Sequence, residues 1–246
     1  MLLSDKKISA LKKQYETKGY IVARNIFDRS DIIKAGHDLE SSFLKSLNKL
    51  NGRNVNKTKN NIINSVHFMN NWKWSKRLKE NKILKKISKV LLDDDIKDFG
   101  SELFAKPAKV GLASPMHQDN YYWCIDNAKG LTIWIALDDS NEKNGGVFYY
   151  EKSHHLGLLE HRQSFAPGSS QTLKYDKSMK YFKKKIPNIK KGDCIIHDCL
   201  VVHGSSKNTS PYSRRGLTIR YIGNSSNIDS IRKKKYETDL KTNVSK

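Results

Sequence analysis

The stretch DCIIHDCLVVHGSSKNTSPYSRRGLTIRYI, residues 193–222, decides how this chain reads. Residues 193–202 are mostly apolar and predict a buried strand that ends at His203. Residues 204–213 make a hairpin-sized connection rich in Ser, Asn and Pro, and 216–222 predict the returning strand. Such a return sets Arg214 beside the strand that carries His203, pointing into the same space. An arginine in that position can take a carboxylate bidentately through a charge-assisted pair. Arg215, on the opposite face, suits an ordinary surface ion pair.

Short strand candidates continue upstream at 102–106, 117–123, 131–137 and 147–150, with turn residues between them. Many short strands at this spacing predict a sandwich or barrel. His117-Gln118-Asp119 opens the second of these runs. In a strand, residues i and i+2 share a face, so His117 and Asp119 can grip one ion together. With His203 they supply two imidazoles and one carboxylate, leaving the remaining positions of an octahedral ion open. That donor set suits a non-haem Fe(II) centre that activates O₂. Strand alternation also puts Tyr121 and Trp123 on the metal face, as substrate walls, and turns Tyr122 away. His197 and Cys199 fall in phase with His203, and His197 reads as a satisfied core histidine.

The first 99 residues read mainly as helix. Ile32, Gly36, Leu39, Phe43, Leu47 and Leu50 fall at steps of three and four, with Asp28 or Ser30 as N-cap. A second helix is predicted around Ile83, Leu84, Ile87, Val90 and Leu91, and a short strand at 20–23. Residues 51–64 read as an exposed loop, 155–180 as a long polar loop covering a site, and 223–246 as a frayed polar tail.

Composition limits the rest. The 246 residues carry 46 Lys+Arg against 25 Asp+Glu, a net charge of +21. Lysine outnumbers arginine 37 to 9, and the lysines are scattered, whereas nucleic-acid surfaces favour the arginine fork. The charge therefore reads as a lysine-coated surface, and nucleic acid is not the expected partner. No apolar run approaches a membrane span, and the start MLLSDKK does not read as a secretory signal. Cys124, Cys194 and Cys199 show no C-x-x-C spacing, so a reducing cytoplasm is the expected compartment.

The chain resembles the phytanoyl-CoA dioxygenase family of Fe(II)/2-oxoglutarate oxygenases over about residues 19–222. The resemblance is carried by Gly19-Tyr20-Ile21-Val22 with Arg24-Asn25, by His117-Gln118-Asp119, and by Trp134-Ile135-Ala136-Leu137-Asp138-Asp139. It continues through Asn144-Gly145-Gly146, Ser153-His154 with Gly157, Gly192-Asp193, and His203-Gly204-Ser205 to Asn208, Ser210 and Arg214-Arg215. It implies a mainly β fold with N-terminal helices, a double-stranded β-helix of the jelly-roll or cupin-like barrel type. It further implies one domain over 1–246, with 1–99 as helical support, 100–222 as the β-helix core and 223–246 as a tail.

In that family pattern His117, Asp119 and His203 hold Fe(II). Arg214 and Ser205 bind the distal carboxylate of 2-oxoglutarate, Trp134 lines the co-substrate pocket, and Lys106 stands at its mouth. Lys152 departs from the family's usual glycine before Ser-His. The carboxylate at Asp119 argues for hydroxylation or another oxidative outcome, because related halogenases have a small residue there. The implied reaction consumes 2-oxoglutarate and O₂ and hydroxylates a small metabolite, releasing succinate and CO₂. A basic pocket rim would favour an anionic one, yet most lysines lie outside the motif stretches. The rival reading is a non-catalytic, metal-containing barrel that binds a polyanion such as nucleic acid through its basic surface.

Overall fold

The computed structural model describes residues 4–47 and 54–244. Helix α1 (Asp5–Lys18) leads into β1 (Tyr20–Ala23). Helix α2 (Arg29–Asp38) starts where Asp28 accepts a 2.7 Å bond from the Ser30 amide, so Asp28 is the N-cap. It passes through a π-helical turn at Leu39–Phe43 into α3 (Leu44–Leu47). Leu50 and residues 51–53 lie outside the described residues. The rest of the expected loop is a hairpin, β2 (Val55–Lys57) and β3 (Ile63–His67). Helices α4 (Lys73–Lys79) and α5 (Lys82–Leu92) follow, the second capped by Asn81, which accepts from the Ile83 and Leu84 amides. The support region thus contributes strands as well as helices.

From there the chain is mainly β. Its elements are β4 (Ile96–Lys106), β5 (Ser114–His117), a short α6 (Asp119–Trp123), β6 (Gly130–Ala136), β7 (Val147–Tyr150), β8 (His161–Ala166) and β9 (Ser169–Leu173). β10 (Lys184–Lys185), β11 (Cys194–Asp198), β12 (His203–Ser205), β13 (Arg214–Gly223) and α7 (Ser230–Val244) complete it. A seven-stranded antiparallel sheet runs β1-β11-β6-β13-β4-β3-β2, and a four-stranded one runs β10-β7-β12-β5. The two are separate hydrogen-bonded ladders rather than one closed barrel, and both line the cavity between them.

Strand β6 shows how the layers are divided. All seven residues are buried. Leu131, Ile133 and Ile135 join the core shared with Ile32, Leu39, Leu84 and Ile87 of the helices. Thr132 and Trp134 point the other way, into the cavity, as period-2 alternation requires. The helices therefore seal the outer face of the large sheet and leave its inner face for polar groups.

Three expectations are corrected here. The run 193–202 is not one strand: the Asp198 carboxylate accepts a 2.7 Å bond from the Leu200 amide, ending β11 in a turn. His203 consequently begins β12, in the opposite sheet. Residues 155–180 hold the β8–β9 hairpin, whose turn is Pro167-Gly168, rather than an irregular loop. The tail folds as α7, and only residues 245–246 lie outside the described part.

Gly216 packs against Trp134 so closely that a Cβ there would lie 2.1 Å from the indole ring. Gly216→Ala must displace the ring or the strand. Overpacking of this kind costs roughly 1–3 kcal/mol, so thermal melting should show Tm lowered by about 3–10 °C. An unchanged Tm would show that the ring has another place to go.

Candidate active site

A cavity of about 840 Å³ opens between the two sheets. Its centre is built by cross-strand pairing. His203 of β12 stands directly opposite His117 of β5, and their rings are 4.3 Å apart. Asp119 follows at the first turn of α6, with Oδ1 3.7 Å from Nε2 of each histidine. One ligand atom from each of the three lies within 4.8 Å of the others. The strand-only picture of His117 and Asp119 is corrected, since a strand-to-helix junction brings the two together.

The surrounding hydrogen bonds orient these groups. His117 Nδ1 donates to the Pro115 carbonyl at 2.8 Å, and His203 Nδ1 donates to the Val201 carbonyl at 3.0 Å. Carbonyls only accept, so in the neutral rings the proton sits on Nδ1 and Nε2 offers a lone pair to the centre. Burial, with His117 and His197 nearby, keeps the His203 pKa well below its ordinary value. Burial works against the charge on Asp119, yet His203, His117 and His197 together hold its carboxyl well below the usual range. Asp119 Oδ2 accepts from the Thr132 hydroxyl at 2.6 Å and lies 3.2 Å from His197 Nε2. Tyr149 closes the chain by donating to His197 Nδ1 at 3.0 Å. His197 is thus a partner of Asp119 with both nitrogens engaged, not a fourth ligand.

The other predicted residues separate clearly. Arg214, the first residue of β13, is 1 % exposed and lines the cavity. One Nη donates to the Gly145 carbonyl at 2.6 Å, Nε has no hydrogen-bond partner, and the guanidinium lies 5.2 Å from the Trp134 ring centre. Burial pushes its pKa down to about 10, so it remains a cation at neutral pH. The buried Trp134 Nε1 also lacks a partner. Ser205 lines the same space, two residues beyond His203 on β12, with no hydrogen bond to its hydroxyl among the described residues. Arg215 faces away and forms a bidentate pair with Asp138 at 2.6 and 2.7 Å.

Lys106 is not at the pocket mouth. It is 2 % exposed, lies off the cavity lining, and donates to the Leu112 and Ser206 carbonyls. Burial, then the charge of Arg214, pushes its pKa down to about 6. Tyr121 also misses the cavity, its ring stacked on His161 at 4.2 Å. Because α6 is a helix, Tyr122 takes the place expected for Tyr121 and meets His117 edge-on at 5.5 Å. Trp123 does line the cavity, packed against Phe99.

Sequence reasoning missed a second polar group on the wall, formed by His67, Glu102 and Arg220. Its signal was present: Arg214, Gly216, Thr218 and Arg220 alternate along β13 with Leu217, Ile219 and Tyr221. It also missed Lys233, Tyr236 and Leu240 of α7, which fall at helical spacing and line the mouth.

The model of the family described as phytanoyl-CoA dioxygenase matches residues 15–216. The chain belongs to the phytanoyl-CoA dioxygenase family. A phytanoyl-CoA dioxygenase domain-containing protein 1 homolog of Dictyostelium discoideum is 32% identical over 123 residues, 48% of this chain and 43% of that protein. A probable alpha-ketoglutarate-dependent hypophosphite dioxygenase of Stutzerimonas stutzeri is 28% identical over 134 residues, 53% of this chain and 46% of that one. The chain spans less than half the length of these two curated relatives. The crystal structure of EctD from S. alaskensis with 2-oxoglutarate and 5-hydroxyectoine superposes with a TM-score of 0.74 at 20% identity. That match covers 92% of this chain and 78% of EctD. It shows the fold, a double-stranded β-helix.

Membership of this family makes iron and 2-oxoglutarate the groups against which the site is judged. Two Nε2 atoms turned toward a common centre and a carboxylate oxygen fit a divalent iron with positions to spare. A buried guanidinium with a free Nε and, among the described residues, no carboxylate partner, lining the same cavity as the Ser205 hydroxyl, fits a carboxylate. Among the described residues no helix is long and apolar enough to cross a membrane.

Proposed function

We propose that this protein is an Fe(II)- and 2-oxoglutarate-dependent dioxygenase that hydroxylates a C–H bond of a small metabolite. The balanced reaction is substrate, 2-oxoglutarate and O₂ going to hydroxylated product, succinate and CO₂. The observation that carries it is the convergence of His117, Asp119 and His203 in the cavity that also holds the unpaired Arg214. Bound by those three side chains, iron supplies the redox chemistry that couples the decarboxylation to oxygen insertion.

The chain's own residues do the placing. Thr132 and His197 fix Asp119 through its far oxygen, leaving Oδ1 turned toward the histidines. Arg214 and Ser205 receive the distal carboxylate of 2-oxoglutarate, and the Trp134 ring forms the wall beside it. The β8–β9 hairpin and α7 cover the opening and limit water at the reacting groups. The family is named for phytanoyl-CoA and one relative for hypophosphite, so the family name does not fix a substrate and the cavity's own chemistry must be read for it. A polyanion-binding barrel has no use for a buried arginine facing an internal carboxylate site, and no observation favours that rival.

Anaerobic addition of Fe(II) and 2-oxoglutarate should produce a weak visible charge-transfer band that requires both. Absence of the band at millimolar 2-oxoglutarate overturns the assignment.

A further inference from the structure

Strand β13 carries two arginines into one cavity. Arg214 lies at one end, and Arg220, three alternations on, stands in register opposite Thr132 of β6. The Thr132 hydroxyl bonds Asp119 at 2.6 Å, so Arg220 borders the metal-ligand cluster. Directly opposed residues in an antiparallel pair have Cα atoms about 4.5–5.5 Å apart.

Arg220 is held in a cradle. Gly100, opposite it on β4, has φ +110°, a conformation that L side chains rarely adopt. A Cβ at Gly100 would lie 2.7 Å from Arg220 Nη2, so the glycine makes the room that the guanidinium fills. The Phe99 ring sits 5.9 Å from the guanidinium carbon. Nη1 donates to Glu102 Oε1 at 3.2 Å, and His67 Nδ1 lies 2.9 Å from the same oxygen. Burial works against the charge on Glu102, but Arg220 and His67 keep it ionised.

One nitrogen of Arg220 is therefore committed. Nε is buried without a hydrogen-bond partner, and among the described residues the hydrogen bond this guanidinium makes is the one from Nη1 to Glu102. Leaving such donors unmade inside a cavity is costly, and an arriving oxyanion would satisfy them. Lys233, the lysine on the cavity lining, adds a second positive charge at the mouth. The aromatic walls between, Phe99, Phe104, Tyr122 and Trp123, suit a short apolar stem.

We propose that Arg220 is the substrate anchor: it binds a carboxylate or phosphoryl oxyanion and so places a C–H bond a few bonds away beside the metal centre. Glu102 and His67 act as positioning residues that hold the guanidinium in place. Arg214 is assigned to 2-oxoglutarate, so the two arginines keep two anions apart on one strand. This rests on the oxygenase reading above.

The test uses the full chain loaded anaerobically with Fe(II) and 2-oxoglutarate. Failure to form the visible band sinks the oxygenase reading itself. With the band present, acetate and methylphosphonate serve as probe anions and are titrated against its position. In the wild type the band should shift with saturation in the millimolar range. Arg220→Gln should raise the half-saturation concentration tenfold or more while leaving the band itself intact. Glu102→Gln, which removes the competing carboxylate, should lower it about threefold or more. A purely structural Arg220–Glu102 pair predicts no tightening in Glu102→Gln, and that result overturns the proposal. So does a wild-type band that ignores both anions, or an Arg220→Gln variant that binds them unchanged. Should Arg220→Gln fail to fold, the Glu102→Gln titration alone decides.

Discussion

Asp119→Ala should lower metal affinity by at least a hundredfold and abolish substrate-stimulated succinate formation. Asp119 is the lone carboxylate in the cluster, and two imidazoles alone make a weak site for a hard divalent ion. Its far oxygen is also where Thr132 and His197 converge. Removing the side chain therefore deletes a ligand and leaves the Thr132 hydroxyl and His197 Nε2 without their acceptor. Asp119→Asn separates the two effects: it preserves the shape and the Thr132 contact but removes the charge. Calorimetric titration with Fe(II) under anaerobic conditions reads the affinity. The expected order is wild type, then Asp119→Asn, then Asp119→Ala. Equal affinity in Asp119→Ala would remove Asp119 from the ligand set. His117→Ala and His203→Ala should fall in the same range, because Nε2 of each faces the centre.

The residue types of the centre could be read from the chain because chemistry limits them. Their grouping followed from the donor set and the family pattern, but the pairing of β5 with β12 that sets His117 opposite His203 across a large sequence gap was not legible. Local reading failed where a long-range contact outweighed propensity. The aromatic run Tyr121-Tyr122-Trp123 has strand propensity, yet residues 119–123 form a helix. Asn120 bonds both backbone groups of Ile125, and Arg232 of α7 donates to the Asn120 carbonyl. That changed the period from two to 3.6 and exchanged Tyr121 for Tyr122 at the cavity. Similarly, the apolar residues Leu200, Val201 and Val202 suggested that β11 runs on. The Asp198 side chain ends it, and the Ser153 hydroxyl accepts from the Val202 amide at 2.8 Å.

Polar elements were hidden for a different reason. The β8–β9 hairpin and α7 cover a water-accessible cavity, so they carry little of the apolar periodicity that marks a buried face. Their few cavity residues gave the only trace. The charge of +21 likewise says little about the site. The site cations that matter, Arg214 and Arg220, are distinguished by position on β13 and by unmet donors rather than by number.

Arg214→Ala should raise the 2-oxoglutarate requirement at least tenfold without lowering the stability of the unliganded protein. A hydrogen-bonded charge contact is worth about 1.5–3 kcal/mol, which converts to roughly 10–150-fold in affinity. The stability half of the expectation follows from where the charge sits. Arg214 is fully buried, and no carboxylate pairs with it among the described residues, because Asp138 is taken by Arg215. Burial lowers its pKa to about 10 although Tyr149 and the Asp138 charge work the other way, so the cation is held at a cost that an arriving anion would offset. Replacing it removes that cost along with the Gly145 hydrogen bond, so Tm of the unliganded protein should stay level or rise. Saturating 2-oxoglutarate with metal should then raise wild-type Tm, since a ligand at 100 times Kd contributes about 2.7 kcal/mol. In Arg214→Ala the same ligand concentration should raise it far less. Arg214→Lys should fall between, keeping the charge but losing the planar fork. A variant that loses stability yet binds 2-oxoglutarate normally would instead make Arg214 a packing residue, with the carboxylate held elsewhere in the cavity.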